Sequence, residues 1–361
     1  MEKYRVGVLG ATGMVGQRFI SLLDGHPWFE VVSVAASPRS KGKTYKDAVE
    51  GRWTLAKPMP ERISGMIVKD VTADLDVIAD EVDFVCSALD MAKGAIRDIE
   101  DAYAKRETPV ISNNSAHRWT PDVPMVMPEI NAEHIGVITA QRRRLGTKSG
   151  FIAVKPNCSI QPYVPAMHAL ADFEPEKASV CTYQAISGAG KTFETWPEMI
   201  DNVIPFIGGE EDKSEREPLK IWGNIADGEI VPINYPTISA QCIRVPVTDG
   251  HMAAVSVSFK KKPSIETILD RWATFEWDSR ATGLPSSPVP FLVYSGEDNR
   301  PQTLLDRDAG NGMAVTLGRL RDDNIFDYKF VALSHNTVRG AAGGAILMAE
   351  LLSNEGYLVR K

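Results

Sequence analysis

Cys158 is the side chain best suited to covalent chemistry in this chain. It stands in AVKPNCSIQP, after a strand-like run at residues 151–154 and before an apolar stretch at residues 160–170 that is predicted to be helical. A thiol at a helix N-terminus ionises more readily, because free N–H groups stabilise the thiolate. The sequence therefore predicts a nucleophile at Cys158.

Two further side chains could assist such a thiol. His251 follows a strand and the tight turn TDG, so its imidazole is expected at a strand edge, where it could exchange a proton with the thiol. Arg244 lies in the preceding strand, and its guanidinium suits a carboxylate. The remaining histidines are interpreted as structural: His26, His117, His134, His168 and His335. The remaining cysteines lie in strand-like runs and are interpreted as core: Cys86, Cys181 and Cys242.

The N-terminal segment GATGMVG predicts a dinucleotide site. Its glycines, Gly10, Gly13 and Gly16, lie between a strand and a helix, where backbone N–H groups can bind a pyrophosphate. The second strand ends in AASPRSKGK, without the acidic residue that would bind a ribose 2′-hydroxyl. Ser37, Arg39 and Ser40 could instead bind a 2′-phosphate, which favours NADP. A merely solvated loop would leave the cofactor choice open.

The order of elements predicts two units of different kinds. Strand-like and helix-like runs alternate through the first third, at residues 4–9, 14–23, 29–35, 82–88, 91–105 and 109–112, which is typical of parallel βαβ units. Long alternating strands follow and indicate a mostly antiparallel sheet: 178–186, 241–247, 252–259 and 326–333. Residues 338–353 predict a helix that returns to the first unit. The acidic segment 208–218 is predicted to be a surface loop.

Composition excludes several classes of protein. The 361 residues carry a formal charge of −7 and 43% hydrophobic residues, which fits two globular domains and argues against a nucleic-acid partner. The chain has neither a signal-peptide layout nor a membrane segment, so it is expected to be cytoplasmic. Its four cysteines form no CxxC pair, so neither a metal site nor a disulfide framework is expected.

Four motifs in this order, GATGMVG, PNCSIQP, QAISGAG and RVPVTDGH, resemble aspartate-semialdehyde dehydrogenases of the archaeal and fungal branch. The resemblance runs over nearly the whole chain. It implies an N-terminal NADP-binding Rossmann domain, residues 1–157 with 336–361. It also implies a C-terminal α+β catalytic and dimerisation domain of the glyceraldehyde-3-phosphate dehydrogenase type, residues 158–335. A homodimer or homotetramer is expected.

The resemblance also implies roles for named residues. Cys158 would form a thioester that phosphate releases, or the reverse in biosynthesis of lysine, threonine, methionine and isoleucine. His251 would be the acid/base, Gln184 would orient the intermediate, and Arg244 would bind the substrate α-carboxylate. A Glu-x-x-Lys pair would bind the substrate amine and phosphate. The pairs Glu210 with Lys213 and Glu217 with Lys220 both fit, and the first is preferred because it follows two glycines.

Further binding residues follow from the same resemblance. Arg118, in SNNSAHR, would join the phosphate site, and Asn336, in SHNTVRGAAGG, would meet the nicotinamide carboxamide. The expected cofactor contacts are Gly10, Thr12, Gly13, Met14, Val15, Ser37, Arg39, Ser40, Ser87, Ser187, Gly188 and Asn336.

Three alternatives stay open at this level. A malonyl- or succinyl-CoA reductase of the same fold would use the same thioester in reverse. An N-acetylglutamyl-phosphate reductase is more distant, since its cysteine motif and loop lengths differ. A catalytically silent, NADP-sensing interaction protein would need only the Rossmann fold. The expected small-molecule ligands are aspartyl phosphate, aspartate semialdehyde and phosphate.

Overall fold

The computed structural model describes residues 2–361 and contains two six-stranded sheets. The strands of the first sheet run in the order β3-β2-β1-β4-β5-β6, and all of its pairings are parallel. They are β1 (Tyr4–Leu9), β2 (Phe29–Ala36), β3 (Lys69–Asp70), β4 (Phe84–Ser87), β5 (Val110–Ser112) and β6 (Ile152–Val154). The predicted parallel βαβ series is confirmed.

Helices connect these strands and cover the sheet. They are α1 (Met14–Leu23), α2 (Tyr45–Ala48), α3 (Glu61–Ser64), α4 (Leu75–Glu81), α5 (Lys93–Lys105), α6 (Pro128–Asn131) and α7 (Ile138–Leu145). The central strand β1 is largely buried, because a parallel sheet with helices on its faces leaves little of such a strand to solvent. The carboxyl ends of these strands carry the loops in which a ligand site of this fold is expected.

The second sheet is mixed and has the order β10-β7-β11-β14-β13-β12. Its strands are β7 (Pro175–Gln184), β10 (Thr237–Arg244), β11 (His251–Phe259), β12 (Leu292–Ser295), β13 (Val315–Asp322) and β14 (Tyr328–Ser334). The inner pairings are antiparallel, as predicted, but both outer strands, β10 and β12, pair parallel to their neighbours. Buried and less buried residues alternate along β11, so one face of the sheet carries the core.

The remaining helices and one hairpin complete the fold. They are α8 (Val164–His168), α9 (Glu210–Ile221), α10 (Ile265–Ala273), α11 (Thr303–Asp306), α12 (Gly343–Asn354) and the hairpin of β8 (Asn224–Ala226) and β9 (Glu229–Val231). No helix within residues 2–361 is long and apolar enough to cross a membrane.

The C-terminal segment returns to the first sheet, as predicted. It begins with a π-helical turn, Val338–Ala342, and continues as α12, whose residues 343–352 are all buried. The turn and helix contact α1, and α12 also contacts β5 and α6. A helix that is apolar on all sides is stable only when it is enclosed, and these contacts enclose it.

The prediction of a surface loop at residues 208–218 is wrong. The segment forms α9, which begins after Gly209 in the left-handed conformation and packs against β10. Its acidic residues suggested a solvated segment, but Glu210 and Glu217 are buried because both have polar partners inside the protein. Tertiary contacts therefore outweigh the polar composition.

Candidate active site

Cys158 is held at the start of a tight turn beyond β6. The turn is fixed by Asn157, whose backbone N–H donates to Glu217 Oε2 (2.7 Å) and whose Oδ1 accepts from the N–H of Ser159 (2.7 Å). Behind Cys158 lies Gly340 of the π-helical turn, where an ideal Cβ would be 2.8 Å from the Cys158 Cβ. Only glycine at position 340 therefore leaves the nucleophile where it stands.

The helix predicted directly after Cys158 is largely absent. Residues 159–163 form turns, and the first regular helix, α8, begins only at Val164. A five-residue helix that starts six positions away cannot supply the free N–H groups that were expected to ionise the thiol. The electrostatic setting of Cys158 must come from side chains instead.

Those side chains act on Cys158 in opposite directions. Burial is the largest effect and raises the pKa of the Cys158 thiol, and the carboxylate of Glu210 raises it further. The positive charges of Lys155, Arg118 and Arg244 oppose both effects and lower it. The residue itself remains partly exposed. Ionisation of this thiol therefore depends on neighbouring cations.

His251, the first residue of β11, is fully buried, and its two ring nitrogens have different surroundings. Nδ1 accepts a hydrogen bond from the backbone N–H of Ala185 (3.1 Å), whereas Nε2 has no hydrogen-bond partner within residues 2–361. Burial lowers the pKa of His251 well below its usual range, and the charge of Arg244 lowers it further. Both effects favour the neutral ring, and the hydrogen bond from Ala185 favours the tautomer with its proton on Nε2, in which that nitrogen is a donor.

Arg244 and His251 meet at Gly188, in the turn that follows β7. An ideal Cβ on Gly188 would lie 3.0 Å from both Arg244 Nη1 and His251 Nε2. Arg244 ends β10, is buried, and donates from Nη1 to the carbonyl oxygen of Ala185 (2.6 Å). Ala185 therefore positions both side chains, one through its N–H and the other through its carbonyl.

Gln184 and Glu210 form a buried polar group between β7 and α9. Gln184 Nε2 donates to Glu210 Oε2 (3.4 Å), and Asn157 Nδ2 donates to Glu210 Oε1 (3.2 Å). Lys213 Nζ lies 2.5 Å from the same Oε1 and is partly exposed. The charge of Glu210 also reaches Cys158. The first of the two Glu-x-x-Lys pairs is thus next to the nucleophile.

The second Glu-x-x-Lys pair, Glu217 and Lys220, has its hydrogen-bond partners within the protein. Lys220 Nζ donates to the carbonyl oxygens of Arg118 (2.7 Å), Thr120 (3.0 Å) and Val123 (3.2 Å), which uses all three ammonium hydrogens. Glu217 Oε1 accepts from Arg118 Nη1 (2.9 Å), and both side chains are buried. The pair Glu217 and Lys220 therefore stabilises the fold around the site.

Arg118 is more enclosed than a ligand residue is expected to be. Besides Glu217, it donates from Nε to the Lys155 carbonyl oxygen (3.0 Å) and from Nη2 to the Asn113 carbonyl oxygen (3.3 Å). Its charge nevertheless acts on Cys158. Arg118 is therefore placed to influence an anion in the site mainly through its charge.

Asn336 connects the segments on either side of the imidazole. Its Nδ2 donates to Ser187 Oγ (2.8 Å), and its Oδ1 accepts from the N–H of Gly250 (2.8 Å). Ser187 and Gly188 belong to the same turn, so the predicted nicotinamide contacts lie together. Asn336 thus holds this turn against the residue that precedes His251.

The glycine-rich segment has the geometry that a pyrophosphate needs. Gly10 has φ 77°, and an ideal Cβ there would lie 2.3 Å from the Ala88 carbonyl oxygen, so this position requires glycine. An ideal Cβ on Gly13 would lie 3.5 Å from the Gly10 carbonyl oxygen, and Gly13 is followed directly by α1, whose first turn has no side-chain cap. The N–H groups of that turn are available to an anion.

A cleft of about 590 Å³ runs from this turn towards the active site. It is lined on one side by Thr12, Gly13 and Met14 and on the other by Gly190 and Thr248. Val15, also predicted to contact the cofactor, is partly buried in the first turn of α1. The predicted phosphate loop and the turn of Gly188 therefore border one cleft, whose size suits a dinucleotide.

The predicted 2′-phosphate loop follows β2 directly. Ser37 and Arg39 are exposed, whereas Ser40 is buried at the end of a short 3₁₀ turn. Lys41 pairs with Asp74 (2.8 Å). Ser87, at the end of β4, is fully buried and accepts a hydrogen bond from Asn114 Nδ2 (3.0 Å), so its side chain has a partner within the protein.

Several residues at the site were missed by sequence reasoning. Arg52 and Trp53 line the cofactor cleft, yet they belong to an irregular segment without a recognisable motif. Gly340 lies against Cys158, and the charge of Lys155 acts on its thiol. Both residues lie in motifs that were noticed for other residues, SHNTVRGAAGG and AVKPNC. A lysine three residues before the cysteine was the available signal.

Two interpretations of the other cysteines are confirmed, and one is wrong. Cys86 and Cys242 are buried, whereas Cys181 is partly exposed on the less buried face of β7. The pleat places Cys181 opposite to the core-facing residues. Among residues 2–361, no three His, Cys, Asp or Glu side chains are grouped as a metal site would require.

Comparison with known families agrees with this geometry. The semialdehyde dehydrogenase NAD binding domain matches residues 5–138, and the semialdehyde dehydrogenase dimerisation domain matches residues 166–339. The chain therefore has the two domains of a semialdehyde dehydrogenase. Its parallel sheet is of the dinucleotide-binding type, its second sheet is mixed, and the cysteine lies between the two.

Individual relatives narrow this class. The chain is 44% identical over 354 residues to the aspartate-semialdehyde dehydrogenase of Archaeoglobus fulgidus, covering 98% of this chain and 99% of that one. It is 43% identical to the enzyme of Aspergillus fumigatus, covering 99% of each chain. The chain belongs to the aspartate-semialdehyde dehydrogenase family.

Solved structures give the same result. The crystal structure of aspartate-semialdehyde dehydrogenase with NADP from Candida albicans has a TM-score of 0.87 at 38% identity, covering 99% of this chain and 100% of that one. Aspartate-semialdehyde dehydrogenase II of Vibrio cholerae, complexed with ASA, has a TM-score of 0.74 at 25% identity, covering 99% of this chain and 100% of that one. The predicted resemblance and fold class are confirmed.

Proposed function

We propose that this protein reduces L-4-aspartyl phosphate to L-aspartate 4-semialdehyde with NADPH, through a thioester on Cys158, in the biosynthesis of lysine, threonine, methionine and isoleucine. The observation that carries the proposal is that the charges of Arg244 and Glu210 act on the partly exposed Cys158, while His251 meets Arg244 at Gly188. The site thus offers a cation, an anion and a neutral hydrogen-bond donor together with a thiol. This set suits a substrate that is an amino acid with a reactive acyl group at the end of its side chain.

The substrate's charged groups have partners of opposite sign. Arg244 would bind the α-carboxylate and Glu210 the α-amine, because both are buried next to the nucleophile. Lys213, partly exposed beside Glu210, would bind the phosphate. The positive charge of the buried Arg118 would also attract the phosphate. Gln184, hydrogen-bonded to Glu210, would orient the acyl group.

The chemistry assigned to the chain is acyl transfer and proton donation. The Cys158 thiolate attacks the acyl carbon, the carbon–oxygen bond to phosphate breaks, and a thioester remains. When bound, NADPH supplies the hydride that reduces this thioester. The Nε2–H of His251 donates to the oxygen that becomes negative, since that nitrogen has no partner of its own within residues 2–361. Collapse of the adduct returns the thiolate and releases the aldehyde.

NADP is the proposed cofactor, bound by the residues predicted from the sequence. The exposed Gly13 and the uncapped start of α1 fit the pyrophosphate. Exposed Arg39 after β2, together with Ser37, fits a 2′-phosphate. Arg39→Ala should weaken NADPH binding at least tenfold more than NADH binding, while Lys41→Ala, which breaks a pair with Asp74, should affect both alike. Equal effects of Arg39→Ala on both cofactors would argue for a solvated loop.

Assays with the substrates of the alternative reductases test the substrate assignment. Purified protein should sustain turnover of NADP with aspartate semialdehyde only when phosphate is present, and should not oxidise NADPH with malonyl-CoA or succinyl-CoA. Activity with a CoA thioester alone would identify the alternative reductase. Binding of NADPH without turnover of any of these substrates would favour an interaction protein.

The chain contains the dimerisation domain of its family, and we propose a homodimer or a dimer of dimers in the cytoplasm. Residues 158–335 would form the catalytic and dimerisation domain, and residues 1–157 with 336–361 the NADP-binding domain. Exposed apolar side chains beside the edge strand β10, Ile200, Val203 and Phe206, support a contact there. Phe206→Glu should lower the mass measured by light scattering; an unchanged mass would argue for another surface.

A further inference from the structure

Gln17 is a buried amide to which the proposed reaction gives no role. It follows Gly16 in α1 and is 1% exposed. A side-chain amide has two N–H donors and an accepting oxygen, and at this degree of burial they need partners within the protein. The partners of Gln17 therefore show which parts of the structure the side chain holds together.

The first partner belongs to the phosphate loop. Gln17 Nε2 donates to the carbonyl oxygen of Thr12 (3.2 Å). The carbonyl oxygen of the preceding residue, Ala11, accepts from the hydroxyl of the buried Tyr45 (2.8 Å). A loop that binds an anion has to direct N–H groups towards the ligand and carbonyl groups away from it. Two buried side chains thus hold carbonyl groups of this loop on the protein side.

The other partners of Gln17 belong to residues 51–54, which form no helix or strand. Nε2 also donates to the carbonyl oxygen of Arg52 (2.8 Å), and Oε1 accepts from the backbone N–H of Thr54 (3.0 Å). A carbonyl group and an N–H group two residues apart are what a neighbouring β-strand would bind. The amide takes the place of such a strand and fixes residues 51–54 against the phosphate loop.

Both structures that Gln17 joins line the same cleft of about 590 Å³. The phosphate loop contributes residues 12–14, and the irregular segment contributes residues 51–54. Within that segment, Trp53 is half-buried, and its Nε1 donates to the carbonyl oxygen of Lys57 (2.9 Å), so the indole is held at the cleft. A ligand that lies on the phosphate loop therefore has residues 51–54 beside it.

The charge of the segment also suits a dinucleotide. Arg52 is exposed, and among the described residues that line the cleft it alone is positively charged. The acidic lining residue, Glu194, belongs to the segment 190–195 of the other domain. A cation next to the phosphate loop favours the negative pyrophosphate.

We propose that residues 51–54 form a second wall of the cofactor site, in contact with the bound dinucleotide, and that Gln17 is the positioning residue that fixes this wall to the phosphate loop. One nitrogen binds both Thr12 and Arg52, so loss of the amide releases the two structures together. The inference deepens the proposed function and rests on the binding of NADP, but it does not depend on the acyl chemistry of Cys158.

The test compares cofactor affinity with turnover in Gln17→Met, which keeps a side chain of similar length but removes the amide. The Kd for NADPH, titrated by its fluorescence in the full-length enzyme without substrate, should rise about tenfold or more, because binding must now order the loop and the wall. At saturating NADPH, kcat should fall by less than about threefold, since the amide touches no reacting atom. An unchanged Kd in folded Gln17→Met would overturn the proposal.

Gln141→Met is the matched control. Gln141, in α7, is also buried, and its Nε2 donates to the carbonyl oxygens of Asp122 (3.0 Å) and Ile152 (2.9 Å). Its Oε1 accepts from the backbone N–H of Ile152 (2.6 Å). The same three kinds of hydrogen bond are lost away from the cleft, so Tm should fall in both variants while the Kd for NADPH rises only in Gln17→Met. An equal rise of Kd in Gln141→Met would trace the effect to lost stability and overturn the proposal.

A second measurement covers the case in which Gln17→Met does not fold. In the unaltered enzyme, NADPH should slow amide hydrogen exchange in peptides that contain residues 51–54 as well as in those of the phosphate loop. Protection of the loop alone would overturn the inference and leave the proposed cofactor in place. Protection of both in a protein that does not turn over aspartate semialdehyde would contradict only the proposed substrate. Protection of neither would contradict both the inference and the cofactor.

Discussion

Ala185 donates its backbone N–H to His251 Nδ1 over 3.1 Å, and this bond decides what the imidazole can do. With Nδ1 occupied as an acceptor, the proton of the neutral ring resides on Nε2. Burial and the charge of Arg244 keep the pKa of His251 low, so the ring stays neutral in the working pH range. In this tautomer His251 can donate to the reacting oxygen.

Replacement of His251 should separate donation to this oxygen from ionisation of the thiol. His251→Gln should lower kcat by about 10²- to 10⁴-fold, because the donor to the negative oxygen is lost or displaced. The pH midpoint for alkylation of Cys158 should change little, since the ring does not accept the thiol proton. Steady-state kinetics and alkylation of the same preparation measure both effects. A large upward shift of the alkylation midpoint would show that His251 acts as the base.

Gly340→Ala should move the nucleophile without unfolding the protein. The new methyl group would meet Cys158 Cβ at 2.8 Å, so the turn that carries the thiol must shift. Misplacement by about 1 Å can cost about 10²-fold in rate, and a loss of kcat of that order is expected. Gly94→Ala, in the open face of α5, has no atom within 4 Å of the new methyl group and serves as the control. Full activity of Gly340→Ala would contradict the contact.

Replacement by alanine should mainly lower stability at Glu217 and mainly lower activity at Glu210. Glu217→Ala leaves Arg118 buried without its carboxylate and should destabilise the fold by about 3–5 kcal/mol. Glu210→Ala removes a carboxylate whose partner Lys213 is partly exposed, so activity should fall more than stability does. Urea unfolding midpoints and kcat/KM distinguish the two. A reversal of this pattern would mean that the second Glu-x-x-Lys pair binds the substrate.

His168 should make the protein less stable in acid. Burial lowers the pKa of His168 to about 4, against about 6.5 in an unfolded chain. The folded form is therefore favoured fully above about pH 6.5, and this contribution is lost as the pH falls towards 4. Between pH 7 and 5 it amounts to about 2 kcal/mol. His168→Gln should lose correspondingly less stability over this interval in urea titrations. An equal loss in both proteins would exclude His168 as the source.

Much of the fold was predictable because local patterns agree with the tertiary structure. Helix α1 was predicted at its observed bounds, since the glycine turn before it and the apolar periodicity within it point to the same helix. The parallel edge strands of the second sheet were not predictable, because strand order depends on contacts between distant segments. Helix α9 was missed because its buried acidic residues are stabilised by partners far away in sequence.

The candidate site was predictable in its residue types more than in its electrostatics. Strand ends and turns bring Arg244 next to His251 at Gly188, and the charge of Arg244 also acts on Cys158. The protonation state of His251 depends on an N–H from Ala185, and no sequence motif reports such a bond. The tautomer of a histidine is set by its surroundings in space, which explains why the sequence predicted an acid/base without assigning a proton to either ring nitrogen.

The central claim is that Cys158 carries the acyl group, and a single-turnover experiment tests it most directly. Enzyme mixed with NADP and aspartate semialdehyde, without phosphate, should form NADPH in a burst of about one equivalent per active site. Mass spectrometry should then find one aspartyl group on the Cys158 peptide, and added phosphate should release it. A burst or sustained turnover in Cys158→Ala, or an acyl group on another residue, would contradict the account.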